Sequence, residues 1–169
     1  FDETTSVGSY ESLTDLPGAS SYSDDHVTIN NTSGKVILQA GSGYLSGSGG
    51  LGLTSLPQGE WDFTIYRYVS DTTGTTQLVF DVYTYSVDTT ETSLFSVTSG
   101  NITSTSLSAS SYEDTIYFIN TTISSVDPTD RLLIKVYAQT TSVTNVTVYF
   151  KYGGSYSSHV STSIAQGLI

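Results

Sequence analysis

Few side chains in this sequence are suited to catalysis. It has two histidines, His26 and His159, and no cysteine, which excludes disulfides, thiolate zinc sites and cysteine nucleophiles. One recognisable setting for a serine nucleophile is a Gly-x-Ser-x-Gly elbow between a strand and a helix. The nearest match, residues 43–47, has its serine one position late and lies in a glycine-rich loop. We therefore predict that the protein is not an enzyme and that both histidines are ordinary turn or surface residues.

Carboxylates are the second group that could do chemistry. Asp24 and Asp25, followed by His26, form the densest group of potential metal ligands, and Asp127 and Asp130 form a second candidate pair. Calcium prefers several oxygen ligands from a looped segment. Neither pair has the alternating acidic spacing of an EF-hand loop, and aspartate is also a favoured turn residue. Turn formation is the preferred interpretation, and we expect no metal and no cofactor.

A carboxylate pair for glycoside hydrolysis needs two acids facing each other in a groove. Asp62 and Asp81 lie on strands that we predict to be adjacent, where they could face one another. Two like charges side by side on a sheet are more often solvated than catalytic, so this pair does not change the prediction.

The tyrosines are more suggestive of function. Alternation along a predicted hairpin of residues 61–69 and 77–85 places four of them on one face, and outward positions of the last two long strands carry two more. Exposed aromatic rows stack on sugar rings or bury between subunits, where tyrosine offers a large contact area and a polar tip. We prefer a subunit interface or ordinary cover of the sheet. The candidates for ligand or interface contacts are Tyr66, Tyr68, Tyr83, Tyr85, Tyr137 and Tyr149.

Asparagine side chains are candidates for modification, because Asn-x-Ser/Thr triplets accept N-linked glycans in secreted proteins. Serine and threonine make up about a third of the chain, so such triplets arise often by chance. Chance is our preferred interpretation. The triplets begin at Asn30, Asn31, Asn101, Asn120 and Asn145.

The charge balance limits the kinds of partner. Five basic against sixteen acidic residues give a net charge of −11, which repels phosphate backbones and anionic membranes. We therefore expect neither nucleic-acid binding nor membrane insertion, and no apolar run is long enough to span a bilayer. The chain begins with phenylalanine and contains no methionine, so we expect a processed or excised fragment.

The elements that must position these residues are strands. Short runs alternate between apolar and polar residues with a period of two, separated by Gly-, Asp- or Pro-bearing turns. The clearest runs cover residues 25–29, 35–40, 61–69, 77–85, 114–120, 131–139, 146–152 and 157–164, with weaker ones at 94–97 and 101–107. No helical period stands out. The pattern predicts an all-β protein, an antiparallel, jelly-roll-like β-sandwich of about eight strands.

The predicted sandwich does not use the whole chain. Residues 1–23 are acidic, rich in serine and weakly patterned, and we interpret them as a linker or arm. Residues 24–169 form the single predicted β-sandwich domain, since this length suits one well-packed core.

Parts of the chain resemble β-sandwich modules of phage and other viral fibre proteins. The resemblance rests on the run of residues 130–138, on Val146–Phe150, on Tyr156–Thr162, and on the strand start Gly59-Glu60-Trp61-Asp62-Phe63. It covers about half the chain. The glycine-rich loop and residues 89–111 have no counterpart in the pattern.

The resemblance implies a domain of a virion appendage, extracellular and commonly a homotrimer, used for host attachment or capsid decoration. Implied partners are copies of the chain, other virion proteins through the N-terminal segment, and a glycan or protein receptor on the host surface. Two alternatives stay open. One is a carbohydrate-binding module or adhesin domain of a secreted protein, and the other is a calcium-dependent structural repeat of a cell surface.

Overall fold

The computed structural model describes most of the chain, and the described part is built from strands. The described residues are 2–7, 10–13, 23–38, 43–47, 49–106, 113–120, 124–156 and 158–162. Within these ranges there is no helix that could cross a membrane.

Fourteen strands occur in the described ranges, seven of them with seven or more residues and the others shorter. They are β1 (Asp2–Val7), β2 (Tyr10–Leu13), β3 (Ser23–Ile29), β4 (Val36–Ile37), β5 (Tyr44–Ser46), β6 (Ser55–Leu56), β7 (Gly59–Val69), β8 (Thr76–Tyr85), β9 (Glu91–Thr98), β10 (Glu113–Asn120), β11 (Ser124–Ser125), β12 (Arg131–Thr140), β13 (Val146–Tyr152) and β14 (His159–Thr162).

Two sheets contain nearly all of these strands. The seven-stranded sheet has the order β1-β2-β5-β12-β8-β9, with β4 also paired to β12. The five-stranded sheet has the order β10-β7-β13-β3, with β14 also paired to β7, and β6 and β11 form a small separate ladder. Every pairing is antiparallel except that of β2 with β5, which is parallel.

Eight of the strands follow the winding of a jelly roll, in which a long antiparallel ribbon is rolled into two packed sheets. In chain order these are β3, β5, β7, β8, β9, β10, β12 and β13. The first pairs with the last, the second with the seventh, the third with the sixth and the fourth with the fifth, all antiparallel. The pairings of β12 with β8 and of β13 with β7 close the roll. The predicted jelly-roll-like sandwich is confirmed.

The core lies between the two sheets and is rich in aromatic rings. Phe63 of β7 and Phe80 of β8 are fully buried, and their ring centroids lie 5.2 Å apart. Phe150 of β13 packs edge-on against Phe80 at 6.1 Å, and Trp61 packs edge-on against Phe95 at 5.0 Å. Each such buried ring contributes about 1.5–3 kcal/mol relative to an exposed one, so the inward positions of the alternating strands hold the sheets together.

The predicted hairpin of residues 61–69 and 77–85 is wrong. Both segments are strands, β7 and β8, but they belong to different sheets. The turn between them, which contains Gly74, carries the chain across the top of the sandwich. Alternation cannot separate the two arrangements, because each places one apolar face of both strands toward the core.

A second prediction fails in the loop after β9. Residues 101–106 were predicted to lie in a strand and have no strand structure; Leu107 lies outside the described residues. Ile102 is nevertheless buried, and its backbone amide donates to the carbonyl of Thr76 at 2.8 Å. Burial of one apolar side chain by a loop produces the same sequence pattern as a short strand.

The N-terminal segment contributes two strands to the described structure. β1 pairs with β2, and β2 lies beside β5, with Glu11 opposite Tyr44 and Leu13 opposite Ser46. These strands fall within residues 1–23, which the sequence indicates to be an arm, and residues 14–22 lie outside the described part. The division of the chain after residue 23 stays a prediction.

Candidate binding faces

The six candidate tyrosines lie on two opposite faces of the sandwich. Because β7 and β8 are in different sheets, the four tyrosines assigned to one hairpin face are separated in pairs. Three candidates lie on the outer face of each sheet. The five-stranded sheet carries Tyr66, Tyr68 and Tyr149, and the seven-stranded sheet carries Tyr83, Tyr85 and Tyr137.

The outer face of the seven-stranded sheet is organised around Asp81, which is 7% exposed. Its carboxylate accepts hydrogen bonds from Lys35 at 2.5 Å, Ser96 at 2.7 Å and Tyr83 at 3.3 Å. The Lys35 ammonium also lies 4.3 Å from the ring centroid of Tyr137. Burial, together with the negative charge of Asp81 and contact with Tyr137, raises the pKa of Tyr83.

A second ion pair continues this network toward the edge of the sheet. Lys135 donates to Glu91 at 2.6 Å and lies 5.3 Å from the ring centroid of Tyr83. Tyr10 of β2 donates to the same glutamate at 3.3 Å and packs edge-on against Tyr85 at 5.2 Å. The charged and aromatic side chains described on this face therefore interact with one another through ion pairs, hydrogen bonds and lysine–ring contacts.

The outer face of the five-stranded sheet has a different organisation. Tyr149 of β13 lies directly opposite Tyr68 of β7 and His26 of β3, one on each side. The rings of Tyr68 and Tyr149 are parallel, with centroids 4.3 Å apart and 2° between their planes. The His26 ring stacks on Tyr149 at 5.5 Å and 29°. We call these three residues the aromatic row.

An ion pair borders the aromatic row. Lys151 is the next outward-facing residue of β13 after Tyr149, and it lies directly opposite Asp24 of β3. Its ammonium donates to the Asp24 carboxylate at 2.5 Å. The other oxygen of Asp24 lies 3.4 Å from Nδ1 of His26. The lysine side chain is only 6% exposed, whereas that of His26 is 58% exposed. The charges beside the row are therefore neutralised, and its outer end is open to solvent.

Tyr117 lies on the edge strand of the same sheet and is 57% exposed. It is directly opposite Asp62, and a hydrogen bond with Glu60 raises its pKa. Two valines that lie in turns, Val87 and Val143, are also strongly exposed. Together with Tyr117 they are the most exposed large hydrophobic residues in the described part of the chain.

This arrangement limits what the aromatic row can bind. Stacking on a sugar requires an aromatic ring with one free face. Tyr149 has Tyr68 on one side and His26 on the other, so its two faces are covered. Tyr149 therefore offers a partner its ring edge and hydroxyl group, a mixture that suits contact with another protein surface.

The candidate metal ligands do not come together. Asp24 faces outward, while its neighbour Asp25 faces the core, where it is 3% exposed and accepts a hydrogen bond from Tyr44 at 2.6 Å. Asp127 accepts from the backbone and hydroxyl of Thr129 at 2.8 and 2.6 Å. In the described ranges, no three His, Asp or Glu residues are placed to hold one metal ion.

The prediction that Asp62 and Asp81 lie on adjacent strands, where they could face one another, is wrong. Asp62 faces outward on β7 and Asp81 faces outward on β8, so the two carboxylates lie on opposite faces of the sandwich. The error follows from the incorrect hairpin, which placed their strands side by side.

Sequence reasoning missed the residues that come from other strands. His26 was predicted to be an ordinary surface residue, and neither its spacing nor its neighbours indicate a partner 123 positions away. The pairing of β3 with β13 brings His26 opposite Tyr149. Tyr117 was missed because the alternation of apolar and polar residues around it is the same as in any half-buried strand.

Comparison with known proteins adds no relative. No protein-family model matches the chain, and no curated protein matches it. The fold therefore defines the class of the protein, a jelly-roll β-sandwich.

Proposed function

We propose that this chain is a non-enzymatic domain of a virion surface protein, a fibre or capsid appendage, that serves host attachment or capsid decoration as a homotrimer. The observation that carries the proposal is the jelly-roll winding, which the resemblance to viral fibre modules implies and which recurs in viral capsid and lectin domains. Since one fold supports many functions, the properties of the two outer faces must support the proposal as well.

The aromatic row supports contact between copies of the chain. Copies with a net charge of −11 repel one another, so contact is favoured where charges are neutralised. The ion pair of Lys151 with Asp24 neutralises the border of the row. Tyr68 and Tyr149 then supply aromatic contact area with polar tips, which protein interfaces favour. The outer face of the five-stranded sheet is therefore the proposed contact surface.

A host receptor and a neighbouring virion protein complete the proposed set of partners. The N-terminal segment would join the domain to other virion proteins, and the receptor would be a glycan or protein on the host surface. The domain would lie outside the particle, where its negative charge favours solubility.

Carbohydrate binding by a secreted module or adhesin is the second hypothesis. It was based on rows of exposed tyrosines, and both outer faces now weaken it. On the seven-stranded sheet, Tyr137 and Tyr83 contact lysines of their own chain, and Tyr83 also donates to Asp81. On the five-stranded sheet, Tyr149 has both ring faces covered. A wild-type domain that is monomeric at every concentration and that binds a ligand in a glycan screen would favour this hypothesis.

Immunogold electron microscopy tests the proposed location directly. Antibodies against the purified domain are applied to intact particles and to cells of the source culture. We expect gold on the outer surface of particles, with labelling lost after the antibody is preabsorbed with the domain. Labelling confined to cell surfaces, with unlabelled particles, would overturn the proposal in favour of an adhesin.

A further inference from the structure

Four of the five Asn-x-Ser/Thr triplets begin at one end of the sandwich. Asn30 donates from Nδ2 to Oδ1 of Asn145 at 3.0 Å, and the backbone amide of Asn31 donates to the carbonyl of Ser142 at 2.7 Å. Asn101 belongs to the same end, because its Oδ1 accepts from the backbone of Thr76 at 2.8 Å. Thr76 is opposite Thr140, which leads into the turn that contains Ser142 and Asn145.

Three of these asparagines have a structural role that explains their presence. Oδ1 of Asn30 accepts from the backbone and hydroxyl of Thr32 at 3.0 and 2.7 Å, the side-chain turn that asparagine forms readily. Asn101 caps the start of β8 through Thr76, and Asn145 accepts from Asn30. Turn chemistry accounts for these side chains without any modification.

Asn31 differs from the other three. It is exposed in the turn between β3 and β4, and its side-chain amide makes no hydrogen bond within the part of the chain that the structure describes. Its backbone amide is nevertheless bonded to Ser142, so the turn is held against the neighbouring loop. A group attached to Nδ2 of Asn31 would therefore extend into solvent without breaking a described hydrogen bond.

We propose that Asn31 is an acceptor of an N-linked glycan and that this end of the sandwich is its glycan-bearing end. Ser33 provides the hydroxyl at the third position of the Asn31-Thr32-Ser33 triplet. The donor is a lipid-linked oligosaccharide pyrophosphate. Nδ2 of Asn31 bonds to the anomeric carbon and the bond from that carbon to the pyrophosphate oxygen breaks. The lipid pyrophosphate is the leaving group, and the one proton that Nδ2 loses is released to solvent.

A glycan here would shield the end of the domain and leave the proposed contact surface uncovered. Val143, 75% exposed, lies next to Ser142, which holds the Asn31 turn. A hydrated sugar beside this residue would cover apolar surface that is otherwise exposed. The aromatic row lies on the outer face of the sheet, whereas Asn31 lies at its end, so the inference does not depend on the proposed function.

Secretion of the domain from a eukaryotic cell line, followed by glycopeptide mapping, tests the proposal. We expect an intact mass above that of the bare chain, a return to the bare mass after treatment with peptide N-glycosidase, and conversion of the Asn31 amide to a carboxylate by that enzyme. A secreted wild-type chain with no glycan at Asn31 would overturn it, whether or not other positions are occupied.

Adjacent triplets allow a matched control. Asn31→Gln removes only the Asn31 triplet, since residues 30–32 still read Asn-x-Thr, and should lose the Asn31 glycan. Asn30→Gln leaves residues 31–33 intact and should keep it. If Asn31→Gln fails to fold, Ser33→Ala provides a second variant with Asn31 in place and should also lose the glycan. An unchanged glycan mass in Asn31→Gln and Ser33→Ala counts against the proposal.

Discussion

At the scale of single residues, alternation predicted which side chains face the core. The outward positions of Tyr68 and Tyr137 and the inward position of Arg67, 3% exposed, all follow from the period of two. The partners of the charged residues could not be predicted. Lys35 and Asp81 are 46 positions apart and meet only because β4 and β8 both pair with β12.

The substitution Asp81→Asn tests how far the polar network stabilises the seven-stranded sheet. It removes the charge toward which Lys35, Ser96 and Tyr83 donate. We expect the free energy of unfolding to fall by about 2 kcal/mol, as for lost hydrogen bonds to a charged group. Urea unfolding, followed by the fluorescence of Trp61, the single tryptophan, measures the change.

Asp88→Asn is the matched control, because Asp88 is exposed in the turn between β8 and β9. Its effect should stay within about 0.5 kcal/mol. Equal effects of the two substitutions would mean that the network around Asp81 does not stabilise the fold.

Stability should decrease at alkaline pH because two tyrosines, Tyr10 and Tyr83, are partly buried in the folded state. Burial raises the pKa of Tyr10 from its ordinary value of 10.0 to about 12 and raises the pKa of Tyr83 as well. The unfolded chain then loses these protons first, so the stabilisation is complete below pH 10 and is lost as the pH rises through the folded values. Urea unfolding measured between pH 9 and 12 should show a falling free energy of unfolding.

Tyr83→Phe provides the comparison for this pH dependence. Without the phenol, the free energy of unfolding should fall less steeply above pH 10, even though the variant starts from a lower value at neutral pH. A slope equal to that of the wild-type protein would show that Tyr83 does not contribute.

At the scale of elements, the sequence predicted where strands lie better than which strands pair. The strands over residues 61–69, 77–85, 131–139 and 146–152 were all found, because long apolar alternation has few alternatives. Their pairing was missed for β7 and β8, since a turn with a glycine fits both a hairpin and a crossing between sheets. The length of the turn did not separate these possibilities.

Alanine substitutions at two glycines, Gly50 and Gly52, test how the loop of residues 49–54 packs against the turn before β12. Gly50 and Gly52 have nearly the same positive φ, 68° and 65°. A Cβ on Gly50 would lie 2.5 Å from the carbonyl oxygen of Pro128, whereas one on Gly52 meets nothing within 4 Å. Gly52→Ala should therefore cost about 1 kcal/mol of backbone strain.

Gly50→Ala should cost clearly more than Gly52→Ala, because the backbone of residues 128–129 must also move. Thermal unfolding of both variants, compared with the wild-type protein, gives the two costs. The docking described for this loop is incorrect if the variants have the same midpoint temperature.

At the scale of the whole molecule, the sequence predicted a sandwich but not the composition of its faces. The aromatic row joins residues of β3, β7 and β13, which become neighbours only through the jelly-roll winding. Both faces carry ion pairs, and on the seven-stranded sheet the paired lysines also lie against tyrosine rings. The five-stranded sheet has exposed His26 and Tyr117 instead. This difference is the physical reason for assigning the contact between copies to the five-stranded sheet.

Paired substitutions test that assignment. The double variant Tyr68→Ser, Tyr149→Ser removes two aromatic side chains from the proposed interface. Each contributes about 2 kcal/mol or more to association where tyrosine anchors an interface. We therefore expect the double variant to be a folded monomer. Tyr85→Ser, on the opposite face, should leave assembly unchanged. Sedimentation velocity gives the assembly state, and Trp61 fluorescence confirms that each variant is folded. A double variant that assembles like the wild-type protein would move the interface elsewhere.

The most direct test of the proposed function is the solution mass of the wild-type domain, measured by light scattering after size exclusion at several concentrations. We predict a concentration-independent mass of three times 18.1 kDa. A mass of 18.1 kDa at every concentration would contradict the proposed homotrimer and leave the aromatic row without its assigned partner.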